Sequence, residues 1–205
     1  MAADSVPLLG LGTYKLETCA SVVQAGLELG YRLIDTAQLY QNHTDIASAI
    51  AASSVDRTEI FLTSKVHVKH IKSLRIAEAV QQILHELDTS YLDLLLLHNP
   101  AKNYAKAWTD LVHCCQHYDI RHIGVSNFEA HHLDTIRVHS GVAPWLNQIE
   151  LNTFRQRRAL VTYHHTHGIL LQSHTTLARG KLLDDPKLKA EAHRCGSTTA
   201  EYMYH

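Results

Sequence analysis

Short apolar runs alternate with segments of helical periodicity along the chain. "LLGLGTY" (8–14) reads as a first strand, and "ETCASVVQAGLELG" (17–30) as an amphipathic helix closed by Gly30. "YRLIDT" (31–36) predicts a second strand, and "TDIASAIAAS" (44–53) a helix capped by Thr44. "EIFLTSKV" (59–66) is a third strand, and "SLRIAEAVQQILHELDT" (73–89) spaces its apolar residues as a helix does. "LDLLLLH" (92–98) is a fourth strand, whose continuous apolar run suits burial on both faces. A helix over 104–118, a strand over 120–126 and a helix over 131–140 follow. "PWLNQIEL" (144–151) and "ILLQSHT" (169–175) are the sixth and seventh strands, separated by a helix that Gly168 ends. Helices over 186–196 and 198–205 complete the pattern.

Seven strands, each followed by a helix, imply parallel strands joined by right-handed crossovers. Two architectures fit: a doubly wound open sheet and a (β/α) barrel. The first calls for a full GxGxxG after strand one, and "GLGTYKLE" carries only the first half of it. The expectation is therefore a TIM-type (β/α)8 barrel that lacks its eighth strand and C-terminal tail. With no Gly/Ser linker and no low-complexity run, it reads as one domain over residues 1–205.

Composition narrows the partners. A formal net charge of −1 gives no electrostatic case for nucleic acid or an anionic membrane. The start, "MAADSVPLLGLGTY", has no basic segment followed by a long apolar one, and "LLLL" (94–97) is far too short to span a bilayer. Four cysteines form no CxxC pair and no disulfide-like framework, which points to a reducing cytoplasm. The 17 histidines make net charge strongly pH-dependent, but pairs such as His164 and His165 do not make a closed zinc set, so no metal site is expected.

In a barrel of this kind chemistry sits at the C-terminal strand ends. Strand two ends at Asp35, three at Lys65 and four at His98, with Tyr40 on the loop after Asp35. Strand five ends at Ser126 and Asn127, strand six contains Gln148, and strand seven ends at His174 and Thr175. Taken singly, each is more readily a solvated or structural group; together they face one mouth. A buried Asp35 is costly unless paired, so it needs a cationic partner.

"GYRLIDTAQLYQN" (30–42), "FLTSKV" (61–66), "LDLLLLHNP" (92–100) and "IGVSNF" (123–128) together resemble the aldo-keto reductase family. "LLGLGTYKL" (8–16), "NQIEL" (147–151) and "LARGKLLDDP" (177–186) extend the likeness, in the family's order, over essentially the whole chain. The resemblance implies NADP(H)-dependent reduction of an aldehyde or ketone, a small-molecule carbonyl substrate. It places a catalytic tetrad on Asp35, Tyr40, Lys65 and His98. Asp35 would pair with Lys65, and Lys65 would lower the Tyr40 pKa from its ordinary value of about 10. Tyr40 would then give a proton to the carbonyl oxygen that His98 orients. Ser126, Asn127 and Gln148 would hold the nicotinamide carboxamide, and Gly12, Thr13 and Tyr14 would approach the riboside end. His174, with Thr175 beside it, would stand at the stacking position, and Leu177 in the loop over the pyrophosphate. For Gly12 a simple tight turn is an equal reading.

Several positions depart from the family pattern. His174 replaces the usual tyrosine, Asn99 a pocket tryptophan, and His43 a glutamate; "TT" (175–176) replaces "SP", and Asn152 follows Leu151 in place of "HP". The N-terminal hairpin is cut to a few residues, and the eighth strand and the cationic grip on the 2′-phosphate are not in the sequence. Charge-assisted bonds of that sort are worth about 1.5–3 kcal/mol each, so the cofactor is expected to be NADP(H) or NAD(H). Open strand edges would also favour self-association. Three readings follow: a carbonyl reductase, a catalytically impaired relative that binds a partner, or an aldolase-like enzyme with Lys65 as Schiff base.

Overall fold

A computed structural model describes residues 6–204, which fall into two compact units divided between Trp145 and Leu146. In the first, β1 (Gly10–Gly12), β2 (Leu33–Asp35), β3 (Phe61–Val66), β4 (Tyr91–Leu97) and β5 (Asp119–Ser126) pair in parallel and in chain order. The order never reverses, so there is no topological switch point of the doubly wound kind. Between the strands run α1 (Cys19–Glu28), α2 (His43–Ala52), α3 (Val68–Ser73), α4 (Ile76–Glu86) and α5 (Tyr104–Cys114), with α6 (Ala130–Ser140) after β5. In the second unit β6 (Leu146–Glu150) pairs in parallel with β7 (Leu170–His174). Around that pair come α7 (Arg158–His167), α8 (Pro186–Arg194) and α9 (Thr199–Tyr204). The alternation is that of a (β/α)8 barrel, and this chain supplies seven of its strands.

The elements form where local chemistry starts and stops them. Gly168 ends α7 with φ 65°, a conformation that costs glycine little. Asp185 caps α8 by accepting from the Lys187 and Leu188 N–H groups at 2.9 and 3.0 Å, with Pro186 at the first helical position. The helix expected over 73–89 is α4, which starts only at Ile76, and α3 before it is a helix the sequence pattern did not announce. Leu74, at φ 57°, ends α3, and the Arg75 N–H returns to the His70 carbonyl at 3.0 Å. The expected Thr44 cap is also corrected. α2 begins at His43 behind Asn42, whose side chain is committed elsewhere and makes no cap bond. The last helix ends at Tyr204; His205 and residues 1–5 lie outside the described residues.

β4 lies at the centre of the first unit's core. Leu92 and Leu94–Leu97 are wholly buried, as a strand covered on both faces requires. α4 lays Ile76, Ala79, Val80, Ile83 and Leu87 along one buried stripe. One charge interrupts β4. Asp93 Oδ2 accepts from Arg57 Nη1 and Nη2, both at 3.1 Å, and from the Leu62 N–H at 2.9 Å; its Oδ1 accepts from Arg121 at 2.8 Å.

Two buried imidazoles make the fold acid-sensitive. His43 and His70 are 2% and 4% exposed, and the His70 ring nitrogens have no hydrogen-bond partner among the described residues. Burial holds both pKa values below the ordinary imidazole value; Lys69 adds to this at His70, while Glu86 opposes it at His43. The unfolded chain therefore binds more protons, so stability present above about pH 6.5 is lost as pH falls through 6.5 towards the folded values. Each group contributes at most about 1.4 kcal/mol per pH unit. The melting temperature should be lower at pH 5 than at pH 7.5, and His70→Leu should flatten part of the slope; equal melts of the parent protein at both pH values would contradict this.

Candidate active site

The mouth of the first unit is assembled from the C-terminal ends of β1 to β5. Thr13 follows β1, and both its N–H and its hydroxyl donate to the Asp35 carbonyl at 3.0 Å. Asn42 staples the same region: its amide donates to the Thr13 carbonyl at 2.9 Å and its oxygen accepts from the Thr36 hydroxyl at 2.8 Å. Sequence reasoning gave Asn42 no role. The available signal was a polar residue at the start of a helix, which the sequence pattern instead capped at Thr44.

Asp35 finds the partner its position demands. Lys65 Nζ donates to Asp35 Oδ1 at 2.5 Å and to the Thr36 carbonyl at 3.0 Å. Lys65 is 1% exposed, which leaves its nitrogen out of reach of a substrate carbonyl carbon and disfavours the Schiff-base reading. Gln38–Tyr40 forms a single 3-10 turn, ended by Gln41 at φ 56°, that brings Tyr40 over this pair. The Lys65 ammonium lies 5.3 Å from the Tyr40 ring centroid. Tyr14 packs on the same ring at 4.9 Å and His98 meets it edge-on at 5.8 Å. Asp35, Tyr40, Lys65 and His98 are thus brought together.

The expected electrostatics of Tyr40 are corrected. Burial pushes its phenol pKa above the ordinary value and outweighs the charge and hydrogen bond of Lys65, which pull it down; Asp35 and Tyr14 add smaller upward pushes. Lys65 is largely spoken for by Asp35, so its charge reaches the phenol partly neutralised.

His98 follows β4, and its N–H donates to the Val66 carbonyl at 3.2 Å. The Asn127 amide donates to the His98 carbonyl at 3.3 Å and to the Ser126 hydroxyl at 3.0 Å, with Asn127 in the left-handed region at φ 62°. Gly12 lies within β1, opposite Asp35, which excludes the tight-turn reading. A Cβ added there would meet no atom within 4 Å, so the backbone borders open space that a flat ring can occupy. The hydroxyl and amide of Ser126 and Asn127 are groups that a carboxamide can pair with.

The other predicted residues belong to the second unit. The Gln148 amide, 4% exposed, donates to Gln172 Oε1 at 2.6 Å. His174 Nδ1 lies 2.9 Å from the Thr175 hydroxyl, with Thr175 at φ 58°. Leu177 precedes the single turn Ala178–Gly180. Among the described residues no three His, Cys, Asp or Glu side chains are placed to hold a metal ion, and no helix is long and apolar enough to cross a membrane.

Residues 8–201 match the family model described as "Aldo/keto reductase family". The chain belongs to the aldo/keto reductase family. Its members are oxidoreductases that use NADPH. Methylglyoxal reductase DkgA of Salmonella typhimurium is 37% identical over 205 residues, a match that covers 97% of this chain and 74% of the relative. Methylglyoxal reductase DkgB of Yersinia pestis is 35% identical over 207 residues, covering 97% and 77%. An aldo/keto reductase of Brucella melitensis superimposes with a TM-score of 0.89 at 34% identity, over 96% of this chain and 77% of that one. A mutant of Gox0644 solved in complex with NADPH gives 0.89 at 33% identity, over 97% and 73%. The chain thus spans about three-quarters of its relatives' length, and the uncrowded backbone at Gly12 and the polar groups of Ser126 and Asn127 each suit this family's cofactor.

Proposed function

We propose that this chain reduces a small aldehyde or ketone to the alcohol, with Tyr40 as proton donor. The observation that carries the reading is the convergence of Asp35, Lys65, Tyr40 and His98, from three neighbouring strand ends, on one phenol. Bound NADPH supplies the hydride. Tyr40, with its pKa held up by burial, keeps its proton at neutral pH and delivers it to the carbonyl oxygen as negative charge develops there. Lys65, anchored by Asp35, stabilises the phenolate left behind. His98 orients the carbonyl oxygen.

Gly12, Thr13 and Tyr14 line the approach of the riboside end. In the first unit, Ser126 and Asn127 would pair with the carboxamide. In the second unit, Gln148, His174, Thr175 and Leu177 would take the cofactor roles that the family resemblance gives them. Cys19, Cys114, Cys115 and Cys195 are free thiols, in keeping with a reducing cytoplasm.

The test is a thermal melt with and without excess NADPH, followed by turnover of methylglyoxal, the compound in the relatives' names. Ligand at a hundred times its Kd adds about 2.7 kcal/mol, roughly 5–10 °C for a chain of this size. A melt unmoved by NADPH or NADH, with no aldehyde turnover, would instead support a non-catalytic relative.

A further inference from the structure

Behind the Tyr40–Lys65 pair runs a chain of polar side chains that the pairing itself does not require. Ser64 precedes Lys65, so its hydroxyl points to the opposite face of β3, 3.0 Å from His43 Nε2. His43 Nδ1 lies 2.8 Å from Glu86 Oε2. Glu86 Oε1 accepts from the Gln82 amide at 2.6 Å, and Gln82 Oε1 accepts from the Gln38 amide at 3.4 Å. Gln38 Oε1 accepts from the His67 N–H at 3.0 Å, which returns the chain to the end of β3. Residues 64 and 67 bracket Lys65, and Gln38 opens the turn that ends on Tyr40. The loop of bonds therefore joins the backbone carrying the phenol to the backbone carrying the ammonium.

His43 is the hinge of this loop. The Glu86 carboxylate favours an N–H at Nδ1, which leaves Nε2 to accept the Ser64 hydroxyl proton. The order serine, histidine, carboxylate is also that of a hydrolytic triad, but Ser64 is wholly buried and meets no substrate. A cavity of about 520 Å³ borders Gln38, His43, Gln82 and Glu86, so the outer half of the loop can be altered without filling the core.

We propose that His43 is a positioning residue: through Ser64 on one side and Glu86, Gln82 and Gln38 on the other, it fixes how the Tyr40 hydroxyl meets the Lys65 ammonium. The proposal rests on the reading of Tyr40 as proton donor. Small displacements matter there, because about 1 Å of misplacement at reacting groups can cost about a hundredfold in rate.

The experiment uses the full chain labelled with ¹³C at tyrosine Cζ, with the Tyr40 signal assigned by its loss in Tyr40→Phe. His43→Phe should move the Tyr40 signal and lower kcat by about tenfold or more, with the Kd for NADPH held within about twofold. His43→Gln, whose amide can still bond Ser64, should restore most of the rate. Glu86→Gln, at a side chain 32% exposed, should shift the same signal and serves if His43→Phe does not fold. A Tyr40 signal that stays put in the folded variants, with kcat at the parent value, overturns the proposal alone. If Tyr40→Phe keeps parent turnover, the reading of Tyr40 falls and this proposal falls with it.

Discussion

Tyr40→Phe should remove nearly all carbonyl reduction while the protein stays folded and binds its cofactor as before. The substitution deletes one oxygen. The ring keeps its contacts with Tyr14 at 4.9 Å and His98 at 5.8 Å, and Lys65 keeps both acceptors, Asp35 and the Thr36 carbonyl. What goes is the proton. Loss of a general acid at this step lowers kcat by about 10²- to 10⁴-fold. The direction of the Tyr40 pKa shift makes a second expectation. Because burial outweighs Lys65, the phenol stays protonated through neutral pH, and reduction should persist until pH exceeds the ordinary phenol value of about 10. A Tyr40 depressed by Lys65, as the sequence alone suggests, would lose activity earlier on the alkaline side. Steady-state rates of the parent and Tyr40→Phe across pH settle both points. Turnover in the variant within tenfold of the parent would remove Tyr40 from its assigned role.

The strands and helices were legible because their signals are local. "LDLLLLH" is buried on both faces as its apolar run demands, and Gly168 stops α7 where a left-handed residue is needed. That Asp35 needs a cationic partner was legible for a different reason, because a carboxylate ending an apolar strand is costly alone; that the partner is Lys65 came from the family resemblance. Other features depended on distances that no spacing rule supplies. The sign of the Tyr40 shift is a contest between burial and a lysine already engaged, and only three-dimensional packing decides it. Asn42 was given no role because its partners, Thr13 and Thr36, come from other segments of the chain. The substitution of a glutamate by His43 registered only as a departure from the family; its bonds to Ser64 and Glu86 join residues 21 and 43 positions away.

The same logic that exposed Asp35 applies to Asp93, a carboxylate inside an otherwise apolar strand. It lies five residues before His98, roughly 16 Å along the strand direction and away from the reactive end. There it gathers two cations and a main-chain donor: Arg57 through two nitrogens, Arg121 at 2.8 Å, and the Leu62 N–H at 2.9 Å. The guanidinium carbons of Arg57 and Arg121 also lie 4.0 and 4.1 Å from the Tyr91 ring centroid. Arg57 continues to the Ile60 and Tyr91 carbonyls at 2.7 and 3.1 Å, so one side chain ties the start of β3 to the start of β4. Asp93 is 4% exposed, and its removal leaves the buried Leu62 N–H and two nearby cations without their acceptor. Asp93→Ala should therefore destabilise the chain by about 3–5 kcal/mol, the lower end being favoured because Arg121 is 42% exposed and water can take over part of its share. Asp93→Asn keeps the shape and one acceptor oxygen, and should cost less. Urea unfolding of the three proteins measures this, and turnover per folded molecule should match the parent because Asp93 is remote from Tyr40. A loss below about 1 kcal/mol in Asp93→Ala would mean that the arginines find water as readily as they find the carboxylate.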